Sequence, residues 1–176
     1  MRRFRCDALA ELRPGDAVPL DRDELSHLFK ILRARPGDVV GLLDGKGGTG
    51  LAEVGAGREL VLLERGTARP PERRVHLFFA APRKQKLDQL LKQSVELGAW
   101  RLVPMLCSRS VALPDERSVQ GRWTDLLFEA CKQSGDPFVP ALTNPVPFEA
   151  AVAMAAKECD ALAYGSVGAT GSPVET

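Results

Sequence analysis

The segment from Val75 to Met105 constrains this chain most. It opens on VHLFFA, a run rich in Val, Phe and Leu that is too short for a helix of its own, passes through KLDQLLKQSVELG, and closes on WRLVPM. In the middle piece Leu87, Leu90, Leu91, Ser94, Val95 and Gly98 recur at i, i+3, i+4, i+7, i+8 and i+11, with Lys86, Asp88, Lys92 and Glu96 on the opposite side. That spacing predicts an amphipathic helix, and Gly98 predicts its stop. The unit is β-α-β. Such a unit needs a parallel sheet with helices packed on it, and ligands of α/β proteins sit at the ends of such strands.

What precedes the unit reads as a small β-rich module. Phe4 and Val18–Leu20 begin it. Asp23–Arg33 has helical spacing, with Leu25, Leu28, Phe29 and Leu32 on one face and Asp21 or Asp23 available as a cap. The period then changes: Pro36-Gly37-Asp38 turns in, Val39–Leu43 extends, and Asp44-Gly45-Lys46-Gly47-Gly48 turns back. A strand over Glu59–Glu64 completes a compact barrel. The glycines of DGKGGTG lack the Gly-Lys-Ser/Thr ending of a phosphate loop and no helix follows them, so they read as a hairpin turn. His27, among Leu and Phe, reads as a structural histidine. The Pro- and Arg-rich stretch TARPPERR is a joint, which divides the chain into residues 1–68, a linker over 69–74, and residues 75–176.

Beyond Met105 a loop carries Arg109 directly after a strand end. Trp123, Leu126, Leu127, Ala130, Cys131 and Ser134 then repeat the helical spacing, with Asp125, Glu129 and Lys132 outward, and Gly135-Asp136-Pro137 breaks the pattern. Phe148–Lys157 predicts a third helix and Asp160–Tyr164 a third strand of the sheet. The fold class is α/β, a small β-barrel followed by a parallel-sheet α/β domain.

Charge separates the parts. Residues 1–68 carry 11 Lys/Arg against 11 Asp/Glu, residues 69–113 carry 9 against 3, and residues 114–176 carry 4 against 9. The basic middle brackets the β-α-β unit with Arg69, Arg73, Arg74, Arg83, Lys84 and Lys86. Clustered cations of this kind suit a phosphate backbone. At the start of the helix, amide groups add to that attraction. Cys6, Cys107, Cys131 and Cys159 are scattered with no CxxC pair, and with only His27 and His76 beside them they predict no metal site and no disulfide framework. No apolar run reaches membrane-spanning length and no secretory signal opens the chain, so the expected location is cytoplasmic and no membrane partner is expected.

Three segments resemble one family, the RsmE-type ribosomal RNA methyltransferases of the SPOUT class. HLFKILRARPGDVVGLLDG resembles the family's His-x-x-x-Val-Leu-Arg followed by Gly-Asp and Asp-Gly. Lys86–Gly98 ends in Ser-Val-Glu-Leu-Gly, with Pro104 and Ser108-Arg109-Ser110-Val111 downstream. RWTDLLFEACKQSGDPFVP resembles the family's Arg-Trp, then Glu-Ala-x-x-Gln-Ser, then Pro. The departures are Lys92-Gln93 where the family has Gln-Lys, Lys132-Gln133 where it has Glu-Gln, and Asp136-Pro137 where it has an Arg.

The resemblance implies a PUA-like barrel that grips RNA and a trefoil-knotted α/β domain that binds S-adenosyl-L-methionine and forms a homodimer when the knot is present. It implies methylation of a uridine ring nitrogen (N3) in 16S ribosomal RNA, with the small ribosomal subunit or its RNA as partner. A non-catalytic RNA-binding protein is the alternative. The chain ends at Thr176, before the family's Gly-Pro-Glu-Gly-Gly loop and final Leu-Gly-x-Arg-Ile-Leu-Arg element, so the expectation is a longer natural product with the knot completed beyond this chain. The expected site residues are Arg109 and Glu96 for catalysis, Arg33, Arg83, Lys84, Lys86 and Lys92 for RNA, and Tyr164, Gly165 and Ser166 for the cofactor. Glu96 is further expected to be partly buried and paired with Arg109.

Overall fold

Alternating burial builds the first sheet. The computed structural model, which describes residues 1–110, 117 and 119–165, orders β1 (Arg3–Arg5), β2 (Val39–Leu43), β3 (Gly48–Val54) and β4 (Leu60–Thr67) side by side, β1 parallel to β2 and the rest antiparallel. Ala52 and Val54 point inward while Glu53 points out, and Leu60 and Leu62 repeat the alternation on β4, as a strand with one buried face requires. Their inner faces join Phe4, Leu9, Leu28 and Leu42 in one apolar core. Leu25, Phe29 and Leu32 pack against it, the helical face expected of this segment. Asp21 is the cap: its carboxylate accepts the Glu24 N–H at 2.7 Å and starts α1 (Arg22–Ser26), which continues into a wide π-type turn over His27–Ile31.

The second sheet is parallel. β6 (Ala99–Leu106) lies at its centre with β5 (Val75–Ala80) on one side, and on the other β7 (Ala141–Leu142) and β8 (Val146–Pro147). Helices α2 (Lys84–Glu96), α3 (Thr124–Ser134) and α4 (Phe148–Glu158) accompany it. Leu87, Leu91 and Val95 of α2 bury with Leu102 of β6 and with Trp123, Leu127 and Cys131. Each such leucine contributes about 1.5–3 kcal/mol on leaving water. Gly98, at φ 74, ends α2 where the spacing predicts.

One predicted strand does not form. Asp160–Tyr164 carries no strand and has no strand partner among the described residues, with Leu162 58% and Tyr164 91% exposed. The second edge of β6 is already taken by Ala141–Leu142 and Val146–Pro147, two short pieces separated by Thr143–Pro145, where proline has no N–H to give a ladder. Val75, Leu162 and Tyr164 expose apolar surface, whereas Leu102 and Val103 of the central strand are fully buried.

The hairpin turn joins the two parts. Val139 N–H donates to Gly45 O, Gly47 N–H to Pro137 O, and Ala68 N–H to Gly47 O. Gly45 and Gly47 have φ of 75 and 106, and a Cβ at either would stand 2.9 Å from Phe128 and Val139, or 2.6 Å from Phe138. No side chain fits in that space. The glycines that resemble a phosphate loop are where α3 and its following loop press against the barrel.

Candidate nucleic-acid interface

The parallel register brings two basic loops to one edge. Ala80 of β5 pairs Met105 of β6, so the chain leaves both strands at the same end. From β5 it passes through Ala81 and Pro82 to Arg83, the N-cap residue of α2. From β6 it enters a turn closed by Ser110 N–H donating to Cys107 O at 3.0 Å, with Arg109 exposed on it. Strands of a sheet lie about 5 Å apart, so these loops are neighbours. No side chain caps α2 and its first turn holds no acidic residue, which leaves the positive end of the helix open to an anion. Arg83 and Lys86 are exposed there; Lys84 is the first residue of the helix.

The other expected RNA residues lie apart. Lys92 is exposed farther along α2, and Arg33 is exposed on the barrel, in left-handed backbone at φ 54. Of the expected cofactor residues, Tyr164 and Gly165 are exposed, and a Cβ at Gly165 would meet nothing within 4 Å. Among the described residues they line none of the cavities large enough for a nucleoside. Ser166 lies outside the described residues.

The pairing of Glu96 with Arg109 does not form. Glu96 is exposed at the end of α2, no ion pair joins the two, and the topology separates them. In a β-α-β crossover the helix runs back along the sheet, so the end of α2 meets the start of β6, whereas Arg109 follows its far end. Eight residues of strand put about 26 Å between those edges.

Helical spacing predicts Lys132 on the outward side of α3, and the structure buries it. Its Nζ donates to Glu24 Oε1 at 2.7 Å and to Glu129 Oε1 at 2.6 Å, and the Arg5 N–H donates to the same Glu24 oxygen at 3.3 Å. Burial pulls the Lys132 ammonium down, but the hydrogen bonds and charges of Glu129 and Glu24 outweigh it and hold its pKa above the ordinary value. Arg3 Nη1 donates to Lys132 O at 3.3 Å, and the Arg5 guanidinium lies 4.7 Å over the Phe128 ring. Spacing alone cannot show that a second unit covers the polar face of α3. Cys131 beside it is fully buried, its thiol pushed up to about 12 by burial and by Asp136. Arg122 pairs with Asp88, tying the start of α3 to α2.

This build, a β module fixed by a polar seam to a parallel α/β unit with a cationic edge, defines the class of the protein: an α/β protein with an accessory β module. Residues 69–172 match the family described as RNA methyltransferase domain, and residues 20–64 the one described as RNA methyltransferase PUA domain. The chain belongs to the RNA methyltransferase family. It is 28% identical over 136 residues to the Ribosomal RNA small subunit methyltransferase E of Synechocystis, covering 74% of this chain and 44% of that protein. Over 147 residues it is 25% identical to the Bacillus subtilis protein of the same name, covering 79% and 57%. The chain thus spans about half the length of the curated relatives it matches. The crystal structure of a Ribosomal RNA small subunit methyltransferase E from Neisseria gonorrhoeae bound to S-adenosyl methionine is similar at TM-score 0.75 and 27% identity, over 86% of this chain and 64% of that one. A Legionella pneumophila structure at TM-score 0.74 and 19% identity shares the fold.

Proposed function

We propose that this chain serves S-adenosyl-L-methionine-dependent methylation of a uridine ring nitrogen, N3, in the 16S RNA of the small ribosomal subunit. The observation that carries the reading is the ordered match of both family regions on a fold similar to the cofactor-bound Neisseria gonorrhoeae enzyme. The donor supplies a methyl group already activated as a sulfonium. In the transfer an N3–C bond would form as the S–C bond breaks, the donor leaving as the neutral thioether and the N3 proton passing to water. Arg83, Lys84, Lys86 and Lys92 hold RNA phosphates in this reading, with Arg33 extending the track onto the barrel. Arg109 stands at the strand edge to meet the target nucleotide. Tyr164, Gly165 and Ser166 contribute to the cofactor's surroundings without enclosing it. A homodimer and a cytoplasmic location belong to the same reading, and no helix among the described residues is long and apolar enough to cross a membrane.

A second reading, a non-catalytic RNA-binding protein, draws on the exposure of Tyr164 and the open space around Gly165. One assay separates the two. The natural gene product is incubated with S-adenosyl-L-methionine and unmodified small-subunit RNA, and the nucleosides are analysed by mass spectrometry. The enzyme reading expects 3-methyluridine. A methyl group at another position contradicts the N3 assignment, and RNA binding without methylation favours the second reading.

A further inference from the structure

A second feature lies at the opposite edge of the parallel sheet, where the linker passes the start of β6. A cavity of about 300 Å³ there has Arg69 and Pro71 of the linker, Trp100 of β6, and Asp136, Pro137 and Phe138 of the loop after α3 in its walls. The Trp100 and Phe138 rings stand 5.5 Å apart at 51°, and the guanidinium of exposed Arg74 lies 4.5 Å over Trp100. The walls are rigid where it counts. Phe138 rests on Gly47, its N–H donates to Asp136 Oδ1 at 2.9 Å, and Pro137 O and Val139 N–H are tied to the hairpin turn.

We infer that this cavity is a subsite for an unpaired nucleobase of bound RNA, flanking the nucleotide handled at the opposite strand edge. The inference rests on the RNA-methyltransferase reading and adds a subsite to it. The chemistry of the walls selects the occupant. Flat rings and a guanidinium plane stack on any base, and a carboxylate oxygen of Asp136 accepts N–H groups from a base edge. Arg69, Arg73 and Arg74, exposed on the linker beside the single acid Glu72, supply the charge complement for the phosphates on either side. The length of β6 sets this subsite about 26 Å from Arg109. An RNA that reaches both must run along the sheet, so the base held here is a neighbour that helps choose the target.

Tryptophan emission tests this directly, because Trp123 is buried in the core and Trp100 alone lines the cavity. A single-stranded RNA oligonucleotide is titrated into the protein beside an abasic oligonucleotide of the same length and charge. The expected result is quenching by the first and not the second, with the abasic strand binding roughly tenfold more weakly, as loss of a stacked base requires. Trp100→Phe should abolish the quenching and keep most of the affinity. Equal binding of both strands with unchanged emission overturns the subsite and leaves the RNA reading standing. No binding of either overturns both. Base-dependent quenching by a gene product that transfers no methyl group upholds the subsite and overturns the enzyme reading alone.

Discussion

Lys132 and Gly47 show how much of this molecule is decided by single residues at the seam. Removing one partner of a buried ion pair leaves the other charge stranded, at a cost of about 3–5 kcal/mol. Lys132→Ala should therefore lower the denaturation midpoint sharply, and Glu24→Gln combined with Lys132→Met should recover part of the loss; equal midpoints for the single and double variants would contradict a coupled pair. Gly47→Ala meets both left-handed backbone and the Phe138 ring, and should destabilise by about 2–4 kcal/mol in thermal unfolding. The seam also sets a pH dependence. The folded pKa of Cys131 is raised from 9.0 to about 12, so folding favours the protonated thiol. Its contribution is complete below the unfolded value and is lost as pH climbs from 9 toward 12; Lys132, also raised, weakens in the same direction. Chemical denaturation should show stability falling through that alkaline window, and Cys131→Ala should flatten the fall. Lys132 itself was not legible from the chain, because its place on α3 is polar by spacing and only the packing of the barrel makes it buried.

At the scale of elements, α2 carries both the clearest success and the clearest failure of reading from sequence. Five apolar or small positions at helical spacing, a run of Val, Phe and Leu before them and Gly98 after them were enough to define β5, α2 and β6. The same pattern, followed one step further, excludes the expected Glu96–Arg109 pair, since a crossover helix ends at the edge opposite the one its next strand reaches. β7 and β8 left no periodic trace because two-residue strands are too short for alternation, and Asp160–Tyr164, an Asp followed by four apolar residues, finds both edges of β6 already paired. The start of α2 makes its own prediction. Changing Arg83, Lys84 and Lys86 together to Glu should weaken RNA binding at low salt and flatten the slope of log affinity against log salt by about one unit for each phosphate no longer held. Unchanged affinity would remove this helix end from the interface.

On the scale of the whole molecule, two hydrophobic cores are joined by a hairpin turn, a buried ion pair and a helix whose two faces serve different units. Binary pattern and charge pointed to a β-rich part, a parallel α/β part and the basic middle. The joint was hidden, since it depends on packing between residues about a hundred positions apart. In the proposed reading, RNA runs along the sheet between the cations at one edge and the stacking cavity at the other, and is methylated there. The claim that this reaction is methylation of a small-subunit uridine is tested most directly in cells lacking the gene for this chain, by mass spectrometry of nucleosides from purified 16S RNA. The account predicts that one 3-methyluridine disappears and returns when the gene is restored. An unaltered 3-methyluridine content in the deleted cells would contradict it.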